Sequence, residues 1–72
     1  MLMVVYDRAR LIEAARAAGD ATPSDTARRL EVARATAWRL WHGRTAPSAA
    51  VIAAVGRHYG IAADQLIQRV AP

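Results

Sequence analysis

The fold of this chain is decided by the stretch TPSDTARRLEVARATAWRLWHG, which runs from Thr22 to Gly43. Thr22 is a favoured N-cap residue, and Pro23 after it suits the first position of a helix. The apolar periodicity that follows is interrupted briefly and then resumes. The stretch therefore predicts a helix over about 23–30, a tight turn, and a second short helix over about 34–42 that ends at Gly43.

Three further helices are predicted, one before this stretch and two after it. Asp7 and Ser48 are placed as N-caps, and Gly19 and Gly60 as natural helix ends. Apolar residues at three- and four-residue spacing follow each of these starts. The predicted helices cover about 8–18, 49–58 and 63–69.

The opening segment Met1–Val5 is the exception to the helical pattern. Its β-branched and apolar residues fit an extended arm, a short strand or an extension of the first helix. The expected fold is all-α, a compact bundle of about five short helices. We expect a single domain over residues 1–72, with residues 1–6 as a candidate N-terminal arm.

The composition argues against several classes of protein. The 72 residues contain no cysteine, so neither a disulfide framework nor a thiolate metal site is available. The apolar fraction of 54% is too high for a disordered chain. The longer apolar runs fall short of the roughly 20 residues that a membrane helix needs. We therefore expect a small cytoplasmic domain, held together by helix packing or by a partner subunit.

The positive charge is concentrated in one short segment. The formal net charge is +4, and residues 28–44 contain five arginines against Glu31 alone. Positive and negative residues cancel elsewhere, so the whole excess lies in this segment. A localised basic patch indicates a polyanionic partner, with a phosphate backbone first and an anionic membrane second. A solvated charged face is the alternative explanation.

Two short helices joined by a tight turn, the second rich in arginine, match the geometry by which a helix lies in the major groove of DNA. The order of residues is more specific than the periodicity, because several landmarks stand in register with a known family. They are Ala27, Val32, Thr36, Leu40, Gly43, Pro47, Gly60 and Ile61. The chain thus resembles the lambda-repressor-like, Xre/Cro-type helix-turn-helix family over about residues 10–67.

The resemblance implies a sequence-specific DNA-binding transcriptional regulator of the Cro or repressor type, such as a phage regulator, that reads the major groove with helix 34–42. It also implies a homodimer on an inverted-repeat operator of double-stranded DNA. Such a protein is expected in the cytoplasm of a bacterial or phage-infected cell, associated with the nucleoid.

Three positions depart from the family pattern. The family's turn glycine falls on Glu31, where a left-handed backbone costs about 1–2 kcal/mol of strain unless the turn differs. The family's inward aliphatic residue falls on Ala37, and its helix-three glutamate falls on Trp41. Because Ala37 and Trp41 lie one helical turn apart, we expect the indole to fill the volume that alanine leaves. Arg16, the nearest match to the usual partner of that glutamate, is then a candidate to stack on the indole.

The candidate base contacts are Arg34, Ala35, Trp38 and Arg39, which the helical spacing turns away from the core. Arginine forms bidentate pairs with guanine, so Arg34 and Arg39 are the first choices, with a phosphate contact as the alternative for each. Ala35 could contact a thymine methyl group. Trp38 could pack on sugars or on a thymine methyl, shield Arg34, or belong to a protein interface.

The candidate phosphate contacts are Thr22, Ser24, His42, Arg44 and Thr45, which lie at the ends of the two helices. Two of them have a structural alternative. Ser24 serves equally well in capping, and His42 near a helix C-terminus interacts favourably with the helix dipole. Contacts of this kind would position the protein on DNA without specifying a sequence.

A homodimer is expected because one domain this small gains affinity for DNA mainly by pairing. The candidate interface residues are Leu66, Ile67 and Val70 in the fifth helix. The Met1–Val5 arm is the alternative interface.

An enzyme is not expected from this sequence. His42 and His58 lack the spacing of metal ligands, and no nucleophile motif or glycine-rich phosphate loop occurs. No catalytic residue, metal, cofactor or small-molecule ligand is therefore predicted. The competing function is a protein-interaction module or antitoxin that uses the same helical scaffold to bind a protein partner.

Overall fold

The computed structural model describes residues 3–43 and 45–70, which form five helices and two short strands. In chain order these are β1 (Met3–Tyr6), α1 (Arg8–Ala17), α2 (Pro23–Leu30), α3 (Arg34–His42), α4 (Ala49–Tyr59), α5 (Ala63–Leu66) and β2 (Ile67–Val70). The mostly helical, compact fold that the sequence predicts is confirmed. The longest helix, α4, has 11 residues, and no helix in these two ranges is long and apolar enough to cross a membrane.

Capping residues fix where three of the helices begin. The carboxylate of Asp7 accepts a hydrogen bond from a backbone N–H in the first turn of α1 at 3.0 Å. Ser48 does the same for α4 at 3.3 Å, and Thr22 forms a capping box with Asp25 at the start of α2. Because the first N–H groups of a helix have no partner inside it, these side chains supply one. The predicted starts of α1, α2 and α4 are confirmed.

The turn between α2 and α3 is built on a left-handed residue. Glu31 has φ 57° and ψ 46°, and it is the only non-glycine residue with positive φ in the part of the chain that the structure describes. The N–H of Val32 donates to the carbonyl of Ala27 at 3.0 Å, and the N–H of Glu31 donates to the carbonyl of Arg28 at 3.4 Å. This pattern is a Schellman motif. Of the two alternatives for Glu31, the strained left-handed backbone is the one observed.

The two ends of the described chain differ from the all-α expectation. The predicted fifth helix stops at Leu66, and Ile67–Val70 forms strand β2, which pairs antiparallel with β1. Both segments are rich in β-branched residues, and each supplies the backbone partners that the other would lack alone. The helix prediction for residues 67–69 is wrong for this reason. Of the alternatives for the opening segment, the short strand is the one observed, over Met3–Tyr6.

The hydrophobic core contains buried side chains from all five helices and from β1. Its largest fully buried aliphatic side chains include Leu11, Val55 and Ile61. Ala37 is completely buried and Trp41 is 6% exposed. Both residues are therefore buried, as the helical spacing predicts, and the filling of the volume beside Ala37 by the indole stays a prediction.

Strand β1 and the start of α1 are fastened to the last turn of α3. The hydroxyl of Tyr6 donates to the backbone carbonyl of Leu40 at 2.6 Å, and the guanidinium of Arg8 donates to the carbonyl of His42 at 3.3 Å. Carbonyl groups in the last turn of a helix have no partner within it, so these bonds satisfy two of them. Burial raises the pKa of Tyr6 well above its ordinary value. The position of α3 is thus fixed from the side of the sheet.

Candidate nucleic-acid interface

Helix α3 has one buried face and one exposed face. Ala37, Leu40 and Trp41 are buried against the rest of the molecule. The opposite side is exposed, and it carries Arg34, Ala35, Trp38, Arg39 and His42. These five outward residues are the ones that the helical spacing predicts.

The exposed face of α3 is organised in two rows. Arg34, Trp38 and His42 follow one another at four-residue spacing, and Ala35 and Arg39 form the second row. The rings of Trp38 and His42 lie 4.7 Å apart between centroids at an angle of 41°. Arg39 Nε donates to the carbonyl of Ala35 at 3.3 Å, along the helix. One aromatic pair and two arginines are therefore displayed side by side.

The arginines of α2 are used in ion pairs. Arg28 pairs with Asp25, and Arg29 pairs with Asp20 and also donates to the carbonyl of Ala18 at 3.0 Å. Both carboxylates lie before residue 28 in the chain, so they are not part of the basic segment 28–44. The basic excess around these two arginines is therefore smaller in the folded molecule than the sequence suggests.

The arginines of α3 are different. In residues 3–43 and 45–70, no carboxylate forms an ion pair with Arg34 or with Arg39. Neither residue is buried, and both lie on the exposed face. Of the two helices, α3 rather than α2 therefore displays arginines without an ion pair. Elsewhere in the described residues, Arg8, Arg16, Arg57 and Arg69 also form none.

The start of α2 holds two of the predicted phosphate contacts. The hydroxyl of Thr22 accepts from the N–H of Asp25 at 3.2 Å, and the Asp25 carboxylate accepts from the N–H of Thr22 at 3.1 Å. A hydrogen bond from the N–H of Ala21 is the largest of the causes that lower the pKa of Asp25. Ser24 is exposed, and no side-chain hydrogen bond to it occurs in the described part of the chain. Ser24 is therefore more available to a ligand than Thr22, whose polar groups already serve the cap.

The other predicted phosphate contacts lie at the end of α3 or just beyond it. His42 is exposed in the last turn, and Thr45 is exposed in the loop that follows. Thr45 lines a cleft of about 340 Å³ together with Arg39 and Ser48. Arg44 lies outside the described residues.

A chain of buried and partly buried hydrogen bonds behind α3 was not predicted from the sequence. The indole N–H of Trp41 donates to Thr26 Oγ1 at 2.9 Å, the hydroxyls of Thr26 and Tyr59 lie 2.8 Å apart, and Tyr59 donates to Asp20 at 2.7 Å. An indole only donates and a carboxylate only accepts, so every proton in this chain points from Trp41 towards Asp20. Arg29 closes the chain on Asp20.

We call the chain from Trp41 through Thr26 and Tyr59 to Asp20 the relay, and two of its groups, Asp20 and Tyr59, have shifted pKa values. The hydrogen bond from Arg29 is the largest cause that lowers the pKa of Asp20. Burial is the largest cause that raises the pKa of Tyr59 to about 12. The relay joins α3 to α2, to α4 and to the segment before α2. One signal could have revealed it, because a buried tryptophan must find an acceptor for its N–H.

The expected stacking of Arg16 on Trp41 does not occur. Arg16 is exposed, and the described residues contain no cation–π contact between the two. The indole is held instead through its N–H by Thr26.

The predicted dimer residues are not equally available. Leu66 is 0% exposed and belongs to the core of its own chain, so its assignment to an interface is corrected. Ile67 is half-buried against the core, and the side chain of Val70 lies outside the described residues. Val4 and Val5 of β1, in contrast, are 56% and 44% exposed. The exposed apolar surface at this end of the molecule therefore lies on β1.

The described part of the chain contains no group of three or more histidine, aspartate and glutamate side chains placed to hold a metal ion. Comparison of the chain with protein-family models, with curated proteins and with solved structures found no match.

Proposed function

We propose that this protein is a sequence-specific regulator of transcription that binds double-stranded DNA. In this proposal α2, the turn at Glu31 and α3 are a helix-turn-helix of the lambda-repressor-like, Cro type, and α3 enters the major groove. The observation that carries the proposal is the exposed face of α3. It displays Arg34 and Arg39 without ion-pair partners in the described residues, whereas both arginines of α2 form ion pairs.

The dimensions of α3 support insertion into the groove. An α-helix with its side chains is about 10–12 Å in diameter, and the major groove of B-DNA is about 12 Å wide, so α3 can lie within the groove. Its nine residues span about 13 Å along the helix axis, which is the length that would follow the groove. Arg34 and Arg39 are then the bidentate partners of guanine, and Ala35 between them allows close approach to the base edges.

Contacts to phosphate would fix the register of α3 on the duplex. Ser24 at the start of α2 and Thr45 after α3 are both exposed, and His42 is exposed at the end of α3. These groups carry no sequence information, so their loss should weaken binding to all sequences alike. Arg28 and Arg29 are not assigned a DNA contact in this proposal, because Asp25 and Asp20 already neutralise them.

We also propose that two copies bind an inverted-repeat operator as a homodimer. The interface is assigned to β1, because Leu66 is unavailable, Val4 and Val5 are exposed, and in the described residues β1 pairs along one edge only, with β2. An unpaired strand edge offers a row of backbone donors and acceptors to a second copy. The antiparallel pairing of β1 with its copy would have the two-fold symmetry that an inverted repeat requires.

The test is a binding measurement on a pool of random duplexes, at low and at moderate salt, followed by selection of the bound sequences. Wild type should bind, lose affinity as salt rises, and enrich one sequence. Arg34→Ala and Arg39→Ala should each lose about 1–3 kcal/mol of discrimination at one guanine. Arg28→Ala is the matched control, because it removes the same charge from a neutralised arginine, and it should retain the selected preference.

Two results would overturn the proposal. Absence of binding to any duplex at low salt would favour the competing function, a protein-interaction module or antitoxin. Equal losses on all sequences for Arg34→Ala, Arg39→Ala and Arg28→Ala would reduce the arginines to general phosphate contacts.

A further inference from the structure

We propose that Trp38 reads the C5-methyl group of a thymine in the major groove, beside the guanine contacted by Arg34. The inference rests on the proposed DNA-binding function and names the base that an unexplained side chain would recognise. It assigns Trp38 a role in sequence specificity, whereas the sequence left sugar contacts, shielding of Arg34 and a protein interface as alternatives.

The first observation is the exposure of the indole. Trp38 is 57% exposed, although burying a tryptophan is strongly favourable and Trp41, one turn further on, is almost completely buried. In the described residues the other large exposed apolar side chains are Val4 and Val5, which lie on β1 rather than on α3. Trp38 is therefore a single aromatic ring, not part of a broad apolar patch of the kind that marks a protein interface.

The second observation is the charge around the ring. Arg34 lies one turn before Trp38 in the same row, and Arg39 is the next residue in the chain. Neither arginine is neutralised by a carboxylate in the part of the chain that the structure describes. An apolar partner protein would have to desolvate both guanidinium groups, whereas DNA surrounds a groove-bound ring with acceptors and phosphates. The surroundings of the ring therefore fit DNA.

The third observation is that the ring has an aromatic neighbour. The imidazole of His42 packs against the indole at 4.7 Å between centroids. Because one neighbour already restricts the side chain, fixing it against a ligand costs less conformational entropy. Trp38 thus presents a partly restricted aromatic ring in the middle of the exposed face of α3.

The chemistry of the groove selects the ligand. The base edges in the major groove present hydrogen-bond donors and acceptors, and the one apolar group among them is the C5-methyl of thymine. An indole face gains by covering that methyl and gains nothing over cytosine or uracil, which lack it. 5-Methylcytosine carries the same methyl group at C5 of cytosine. The group that Trp38 would recognise is therefore the C5-methyl, which thymine carries in unmodified DNA.

The experiment uses the duplex that the wild-type protein selects from a random pool. Each thymine in it is replaced singly by uracil, which removes only the methyl and keeps every hydrogen-bonding group. At one position in each half-site, uracil should weaken wild-type binding about threefold to fivefold, the loss expected for one buried methyl. Trp38→Ala should bind the thymine and uracil duplexes equally. Two further duplexes carry a cytosine–guanine pair at that position, one with cytosine and one with 5-methylcytosine. Wild type should bind the methylated duplex more tightly, and Trp38→Ala should bind the two equally.

Ala35→Gly is the matched control, because Ala35 is the other apolar side chain on this face of α3. The uracil effect assigned to Trp38 should persist in this variant. Circular dichroism and light scattering should show that Trp38→Ala keeps its helix content and its oligomeric state, as expected for an exposed side chain.

Three outcomes would overturn the inference while leaving the proposed function intact. Uracil could have no effect at any position, its effect could survive in Trp38→Ala, or Trp38→Ala could change oligomeric state without changing base preference. The last result would assign the ring to a protein interface. Failure of the proposed function looks different, because wild type would then select no duplex at all.

Discussion

The indole nitrogen of Trp41 lies 2.9 Å from the hydroxyl oxygen of Thr26, so the end of α3 and the first half of α2 are joined by a buried hydrogen bond. Both side chains are almost completely removed from solvent. The bond continues through Tyr59 to the ionised Asp20, which gives it a fixed direction. The relay therefore helps to set the position of α3 relative to α2 and α4.

Thr26→Val should destabilise the fold. Valine has the shape of threonine but leaves the indole N–H of Trp41 without an acceptor and Tyr59 without a donor. The cost of such buried unsatisfied groups is about 1–3 kcal/mol of unfolding free energy. Urea denaturation measures it.

Thr26→Ser is the control for this substitution, because it keeps the hydroxyl and removes only a methyl. It should be more stable than Thr26→Val. Equal stability of the two variants would mean that packing, not the hydrogen bond, makes Thr26 important. In a double-mutant cycle with Trp41→Phe, which removes the N–H, the two losses should not add.

Stability should fall in acid in a way that depends on Asp20. Its pKa in the folded chain lies below the ordinary value of 3.8 because Arg29 hydrogen-bonds the carboxylate. A lowered pKa stabilises the fold above pH 3.8, and this contribution is lost as the pH falls through the lowered value. Urea midpoints of wild type and Asp20→Asn should therefore differ at pH 7 and converge towards pH 2. Tyr59→Phe should keep most of the acid dependence, since Arg29 has the larger effect. A constant difference between wild type and Asp20→Asn at every pH would contradict this assignment.

Glu31→Gly should stabilise the protein. Glu31 has a left-handed backbone with φ 57°, which costs a residue with a side chain about 1–2 kcal/mol, and glycine regains part of this. We expect about 1 kcal/mol more unfolding free energy by urea denaturation. Glu31→Ala keeps the strain and removes the carboxylate, so a gain of the same size in the alanine variant would assign the effect to charge.

Val5→Lys should separate the proposed dimer. A lysine on an exposed strand opposes pairing with a second copy, because its charge would be desolvated beside its own equivalent. Light scattering should show a dimer for wild type and a monomer for Val5→Lys. Val5→Thr keeps the β-branched shape and should remain dimeric. A wild-type protein that stays monomeric at high concentration, with and without operator DNA, would refute the dimer itself.

The helices that were predicted well are those whose ends are determined locally. Thr22 and Pro23 identify the start of α2, and Asp7 and Ser48 identify two others, because a cap acts within a few residues of the chain. The exposed side of α3 followed from helical spacing in the same way. Local spacing could not predict that the predicted fifth helix gives way to strand β2. Ile67–Val70 forms a strand because it pairs with Met3–Tyr6, which is far away in the sequence.

The free charge of the candidate site was only partly predictable. Arg29 is adjacent to Arg28 in the sequence, yet its partner Asp20 lies nine positions earlier and reaches it only in the folded chain. The relay was missed because Tyr59 comes from a helix far along the chain, and its hydroxyl gave no periodic signal. Local sequence spacing does not predict which side chains tertiary packing brings together.

The pairing of Met3–Tyr6 with Ile67–Val70 gives the folding reaction an order in time. Closing a loop that contains nearly the whole chain is costly until the helices have shortened the distance between its ends. The sheet should thus form last, after the helices have packed, and during synthesis only when residue 70 has left the ribosome. By the same reasoning its backbone amides should exchange with solvent sooner than those of the core helices.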